Sequence, residues 1–132
     1  MTVAVAHNVS KLSQDVLAEA VREASIRGTS LVLIHAVDSI DADIEAALAV
    51  AVEDDLGSVV AQHGLPTVAW RLLPAPGTDI AAAVLSACDQ ADAELLVIGA
   101  RKRSPVGKAL LGSVAQTLIL EASLPVLVVK KP

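Results

Sequence analysis

Five short apolar runs alternate with longer Ala-rich stretches along this chain. Residues 31–34, 95–98 and 126–129 are apolar without alternation, as is typical of strands that are covered on both faces of a parallel sheet. The runs are also rich in the β-branched and aliphatic residues that favour strands. They predict five strands, over residues 3–7, 31–37, 68–73, 95–98 and 126–129.

The stretches between the runs predict four helices. From Leu12 to Ala24, apolar residues recur at three- and four-residue steps, the spacing of an amphipathic helix, and Gly28 is a natural stop. Acidic residues begin the second stretch, where the helix dipole favours them, and Gly64 follows its end. The three helices after the first are predicted over 41–63, over 78–90, and from 112–113 onward.

The ends of the last two helices are also predicted. Residues 74–77, Pro-Ala-Pro-Gly, indicate a turn, after which Thr78 or Asp79 caps the third helix. The fourth helix is expected to direct three apolar side chains into the core: Val114, Leu118 and Ile119.

This order of elements predicts the fold class. Strands and helices that alternate on one short chain form an α/β fold, here a Rossmann-like open five-stranded parallel sheet with right-handed crossovers and helices on both faces. The length of 132 residues favours a single domain over 1–132. In such sheets ligands bind at the carboxyl ends of the strands, where the strand order reverses.

Composition narrows the class of ligand. The chain has one Trp, no Phe or Tyr, and a net charge of -5, so we expect no nucleic-acid partner, since aromatic platforms and broad positive charge are both missing. Cys88 is the only cysteine, which excludes an intrachain disulfide. The sequence shows neither a signal peptide nor the ~20-residue apolar run of a membrane helix, and we expect a cytoplasmic protein without a membrane partner.

A basic, glycine-punctuated segment follows the fourth predicted strand. Four of the ten Lys and Arg residues fall between Arg101 and Lys108, against the acidic background. Gly112 then opens a helix whose first N–H groups are free to bind an anion, so the segment is a candidate phosphate cradle. It is not a P-loop, because that motif would need Gly at 102 and Ser or Thr at 109, where Lys102 and Ala109 stand. A dinucleotide-binding Gly-x-Gly-x-x-Gly turn is also missing after the first predicted strand.

The spacing of this segment resembles the nucleotide-binding motif of the universal stress protein family. That motif is Gly, two residues, Gly, nine residues, Gly, then Ser or Thr, and it falls on Gly99, Lys102, Gly112 and Ser113, with three of four positions matched. The last helix and strand, 114–129, and the opening residues 3–10 are also similar to the family. The resemblance covers essentially the whole chain and implies an adenine nucleotide alpha hydrolase-like fold.

The resemblance implies a ligand, ATP or another adenine nucleotide, with Mg²⁺ accompanying it. Asn8 and Ala36 would flank the adenine and ribose. Asn8 stands where the binding branch has Asp, and Val9 and Lys102 stand where it has Gly. The Lys102 ammonium could itself bind phosphate. The residues that would hold the phosphates are Gly99, Arg101, Lys102, Gly112, Ser113 and Val114.

Three functions stay open: a nucleotide-binding switch in stress response or regulation, a nucleotide-free dimeric scaffold that docks a protein partner, and a slow ATPase. We expect no enzyme, because no arrangement of catalytic residues stands out. The apolar strand at 125–129 predicts a homodimer, since an exposed apolar edge invites pairing with a second copy. His7 and His35 are interpreted as packed or hydrogen-bonded strand residues. The acidic residues from Asp38 to Asp43 are interpreted as helix-start residues, with no metal site.

Overall fold

Alternating strands and helices build a parallel five-stranded sheet in the order β3-β2-β1-β4-β5. The structure is a computed structural model that describes residues 1–7, 14–101 and 112–131. Its elements are β1 (Thr2–His7), α1 (Gln14–Arg27), β2 (Ser30–Val37), α2 (Ala42–His63), β3 (Trp70–Pro76), α3 (Ile80–Gln90), β4 (Ala93–Arg101), α4 (Ser113–Glu121) and β5 (Val126–Lys131). The predicted α/β fold with a five-stranded parallel sheet flanked by helices is confirmed.

The two faces of the sheet carry separate cores. Alternate strand residues such as Val5 and Leu33 pack with α1 and α2 on one face. Their neighbours, such as Ala4 and Ile34, pack with α3 and α4 on the other. Because both faces are covered, the middle parts of the central strands are apolar on both sides, which explains the unbroken apolar runs in the sequence.

The third strand is where the prediction from sequence is wrong. A turn was expected at 74–77, but β3 continues through Pro74 to Pro76, in register with His35 and Val37 of β2. β3 is an edge strand of the sheet. A proline lacks the N–H that a central strand must donate, and an edge strand has a free side on which that loss is tolerated.

The helix ends follow the predicted capping chemistry. Asp41 caps α2, and its Oδ1 accepts from the N–H groups of Asp43 and Ile44 at 2.9 and 3.2 Å. Gly64 ends the helix at φ 61°, in the left-handed region that glycine adopts without strain. Of the two residues predicted to cap α3, Asp79 does so, accepting from the Ala82 N–H at 3.1 Å.

The fourth helix is less deeply packed than expected. Leu118 is buried, with 2% of its surface exposed, and Val114 is half-buried. Ile119 was expected in the core, yet 37% of it is exposed and Leu120 beside it is 82% exposed. α4 spans only residues Ser113–Glu121, and one face of so short a helix meets the sheet.

Candidate functional site

The strand order makes the pair β1 and β4 the point where the winding of the chain reverses. These strands are neighbours, yet α1, which follows β1, packs on one face and α4, which follows β4, packs on the other. The connections therefore diverge at the carboxyl ends of this strand pair. In open parallel sheets such a reversal of winding is where ligands bind.

The amino end of α4 lies at the carboxyl edge of the sheet, because the helix follows the parallel strand β4. Gly112 is the N-cap residue, and no side chain in the described part of the protein caps the helix. Its carbonyl accepts from the Gln116 N–H at 3.0 Å, so the helix proper begins at Ser113. The first N–H groups of a helix have no acceptor within it, and the helix dipole makes this end positive. It is a place where an anion is stabilised.

A cleft of about 460 Å³ separates the amino ends of α3 and α4. Asp79, the cap of α3, is on one wall, and its carboxylate compensates the positive end of that helix. Ser113 is on the opposite wall, at the uncapped end of α4. The residues that line the cleft are Thr78, Asp79, Ile80, Ala81, Ser113, Val114 and Thr117.

Three of the predicted phosphate-binding residues come together at this cleft. Ser113 and Val114 line it, and Gly112 directly precedes them as the cap of α4. The Ser113 carbonyl accepts from the Thr117 hydroxyl at 2.9 Å, which fixes the Thr117 side chain along the helix. Main-chain N–H groups and the Ser113 side chain are therefore the donors that this wall offers to a ligand.

The other predicted residues are distributed along the sheet edge. Ala36 lies near the end of β2, in register with Ala75 of β3, and alternation puts it on the face that α3 and α4 cover. One strand separates β2 from β4, which sets those two strands about 10 Å apart. Arg101 is the last residue of β4. Asn8 and Lys102 lie outside the described residues.

Gly99 has a packing role that the sequence did not reveal. A Cβ atom added there would stand 2.8 Å from Cγ2 of Val16 on α1. Val16 is buried and β-branched, so it has little freedom to move aside. A residue without a side chain is needed at this point for α1 to settle on β4. The predicted part of Gly99 in holding phosphate stays a prediction.

A buried histidine lies on the other face of the sheet. His35 of β2 is in register with His7 of β1, as expected if those two strands pair. Its Nε2 stands 2.9 Å from Oε2 of Glu45 in the first turn of α2, with 1% of the His35 side chain exposed. The interpretation of His35 as a hydrogen-bonded strand residue is confirmed. Glu45 was not anticipated, although its place in the helix that follows β2 could have drawn attention to it.

Two further candidates are explained by local structure. Asp41 is the cap of α2, and Asp43 lies in its first turn. This confirms the interpretation of these two acids as helix-start residues. Within the described ranges, no three His, Cys, Asp or Glu side chains form a group that could hold a metal ion.

Burial raises the pKa of the Cys88 thiol to about 11, and the charge of Asp89 adds to this. At neutral pH such a thiol carries almost no thiolate, the reactive form.

The α3 wall of the cleft was missed from the sequence. Thr78 and Asp79 were considered only as caps, although they face the same cleft as Ser113. A signal was available, because the helix that follows each parallel strand starts at the same edge of the sheet. Two such helices on one face necessarily bring their amino ends to that edge.

No helix in the described part of the chain is long and apolar enough to cross a membrane.

Comparison with known proteins gives consistent matches over nearly the full length. The model of the universal stress protein family matches residues 1–130. A universal stress protein of Mycolicibacterium smegmatis is 39% identical over 129 residues, which cover 97% of this chain and 96% of that protein. A solved universal stress protein from Archaeoglobus fulgidus is 31% identical with a TM-score of 0.70, and 98% of each chain is covered. A universal stress protein from the same organism, solved in complex with dAMP, is 26% identical with a TM-score of 0.66 over 98% of both chains.

Proposed function

This chain belongs to the universal stress protein family, and on that premise we propose that it is a regulatory module that binds an adenine nucleotide at the carboxyl edge of its sheet. The observation that carries the proposal is the uncapped amino end of α4, which faces the cleft. A helix end of this kind attracts a phosphate group. The relative solved with dAMP supports the class of ligand, because dAMP joins a phosphate to an adenine nucleoside.

In this proposal the phosphate lies against the first turn of α4. The N–H groups of Ser113 and Val114 donate to its oxygens, and Gly112 adds no side chain to the approach, since none of the described residues stands within 4 Å of the position of a Cβ there. The basic residues Arg101 and Lys102 add positive charge. Asn8 and Ala36 flank the adenine and ribose. In its general form the proposal concerns any adenine nucleotide with a free phosphate. In its more specific form the ligand is ATP accompanied by Mg²⁺.

We propose binding rather than turnover. The cleft is lined by hydroxyl groups, apolar side chains and the carboxylate of Asp79, which already serves as a helix cap. Its lining within the described residues includes neither an imidazole nor a thiol. This set suits a ligand that is held and released, and the bound and free forms would then present different surfaces to a partner.

A second copy of the chain is the proposed partner. β5 lies at the edge of the sheet, and its apolar residues from Val126 to Val129 are only half-buried. Leu120 on the adjoining helix is 82% exposed. An apolar edge strand favours pairing with an identical edge, which forms a homodimer through residues 125–129. The same surface supports the second candidate function, a dimeric scaffold without a nucleotide.

Calorimetry with a variant at the helix cap tests the proposal. The protein is unfolded, stripped of ligand, refolded, and titrated with AMP, dAMP and ATP with Mg²⁺, with GTP as the base control. Gly112→Asp puts a capping carboxylate where the phosphate would lie, so we expect nucleotide affinity to fall by more than about ten-fold while the helix keeps or gains stability. Gly112→Asn supplies a cap of the same size without the charge and should weaken binding less.

The outcomes separate the candidate functions. Saturable binding of adenine nucleotides that Gly112→Asp removes supports the module as proposed. Equal nucleotide affinity in wild type and Gly112→Asp would show that the phosphate does not bind at the amino end of α4. A folded wild-type dimer that binds none of these nucleotides would favour the scaffold.

A further inference from the structure

Asp79 lies across the cleft from the open end of α4. Thr78 to Ala81 form one wall of the cleft, and Ser113, Val114 and Thr117 form the other. The Asp79 carboxylate caps α3 through Oδ1, which accepts from the Ala82 N–H at 3.1 Å. The α3 wall therefore ends in a full negative charge, whereas the α4 wall ends in main-chain N–H groups that no side chain of the described residues caps.

This asymmetry acts differently on one phosphate and on several. A single phosphate at α4 gains the helix dipole and stands on the wall opposite Asp79. Each additional phosphate brings more negative charge into a cleft of about 460 Å³ that already holds a carboxylate. Like charges in the same cleft repel, and a divalent cation on the polyphosphate relieves the repulsion.

We propose that Asp79 sets the number of phosphates that the site accepts, favouring a nucleoside monophosphate and disfavouring a polyphosphate without a metal ion. This inference rests on the proposed function, because it concerns the same cleft. Asp79 acts through its charge and needs no hydrogen bond to the ligand. The charge can be separated from the cap, since asparagine caps a helix as well as aspartate does.

Two isosteric variants make the test. Asp79→Asn removes the charge and keeps the acceptor for the Ala82 N–H. Asp41→Asn is the matched control, because Asp41 also caps a helix through its Oδ1, and that helix, α2, packs on the other face of the sheet. Calorimetry is run with AMP, with ATP in EDTA, and with ATP in excess Mg²⁺, and urea unfolding of both variants checks that their caps hold. A third variant, Asp79→Ser, also keeps a cap and removes the charge.

We expect Asp79→Asn to raise the affinity for metal-free ATP roughly three- to ten-fold, the scale of a screened repulsion between exposed charges. The affinity for AMP should change less, so the preference for AMP over metal-free ATP narrows. The benefit of Mg²⁺ to ATP binding should shrink in the same variant. All of these differences should diminish at high salt, as a purely structural effect would not.

Other results would overturn the inference. An unchanged preference for AMP over metal-free ATP in both Asp79→Asn and Asp79→Ser would show that Asp79 does not determine the number of phosphates. The proposed binding of an adenine nucleotide would still stand. An equal shift in Asp41→Asn would assign the effect to net charge instead of to the cleft. Failure of wild type to bind any of the three ligands would remove the proposed function together with the inference.

Discussion

Nε2 of His35 donates to Oε2 of Glu45 across 2.9 Å, and this bond ties the end of β2 to the first turn of α2. An ionised carboxylate can only accept, so the proton of the bond belongs to the imidazole. The His35 side chain is 1% exposed and that of Glu45 is 20% exposed. The second Glu45 oxygen, Oε1, is also buried and has no partner among the described residues. The pair is thus held in a mostly apolar setting, where losing one partner is costly.

Removing Glu45 should destabilise the fold. Glu45→Ala leaves the His35 N–H buried without an acceptor, at a cost of about 1–3 kcal/mol in the free energy of unfolding. Urea unfolding followed by the fluorescence of Trp70, the only tryptophan, measures this cost. Glu53→Ala on the exposed face of the same helix is the control and should change stability far less. Equal losses in the two variants would mean that the bond to His35 contributes nothing.

The contact between Gly99 and Val16 gives a second stability prediction. Gly99→Ala forces a methyl group to 2.8 Å from Val16 Cγ2 and should cost about 1–3 kcal/mol through overpacking. Gly57→Ala is the matched control, since nothing stands within 4 Å of that position in α2, and it should be stabilising by about 0.5–1 kcal/mol.

A double-mutant cycle tests the assignment of this cost to Val16. In the background of Val16→Ala, the clash is gone, so Gly99→Ala should cost less than it does in wild type. Thermal or urea unfolding of the four proteins gives the coupling energy. Strict additivity would show that the cost of Gly99→Ala arises elsewhere.

The buried thiol predicts a loss of stability at alkaline pH. Burial raises the pKa of the Cys88 thiol from its ordinary value of 9.0 to about 11 in the folded protein. The folded chain therefore holds this proton over a range in which the unfolded chain releases it, so stability from this group is complete below pH 9 and falls as the pH rises toward 11. Cys88→Ala should flatten the wild-type decline between these values in urea unfolding. A parallel decline in both proteins would contradict the prediction.

The same thiol should resist chemical modification. At pH 8 a thiol reagent such as a disulfide exchange dye should label the native protein slowly and the urea-unfolded protein fast, because only the thiolate reacts and Cys88 is 2% exposed. The release of the dye, followed by absorbance, gives both rates. Equally fast labelling without urea would show that the segment around Cys88 opens readily.

The apolar edge at β5 gives a prediction about assembly. The prediction takes the exposed Leu120 of α4, the helix before β5 in the chain, as part of the dimer interface. We expect Leu120→Glu to weaken the homodimer by about ten-fold or more, since a charge buried in an apolar interface lacks a partner. Ile26→Glu on α1 is the control, because Ile26 is 74% exposed and lies on a different helix. Sedimentation equilibrium at several concentrations measures both variants. A wild-type protein that sediments as a monomer throughout would remove the proposed partner.

Local chemistry in the sequence predicts most of the fold. The unbroken apolar runs identify the strands, and Asp41, Asp79 and Gly64 mark helix ends where the structure has them. β3 departs from the prediction because the tolerance of an edge strand for Pro74 depends on strand order, which a local pattern does not contain. The exposure of Ile119 likewise depends on how a short helix is oriented on the sheet.

The site is less predictable than the fold. Gly112 and Ser113 were found from motif spacing, and the structure places them at the cleft. Asp79 was missed because its link to Ser113 exists only through the packing of α3 beside α4. The bond from His35 to Glu45 was missed for a similar reason, since it joins two elements whose relative rotation is set by the whole core.

The contact of Gly99 with Val16 also bears on what a motif match means. A glycine that α1 requires in order to pack against β4 would be retained even by a family member that binds no ligand. Such a position carries information about the scaffold and little about binding. Gly112 is different, because a side chain there would meet no atom of the described residues within 4 Å. In searching genomes for nucleotide-binding members, a capping residue at the position of Gly112 would be the more telling sign that binding has been lost.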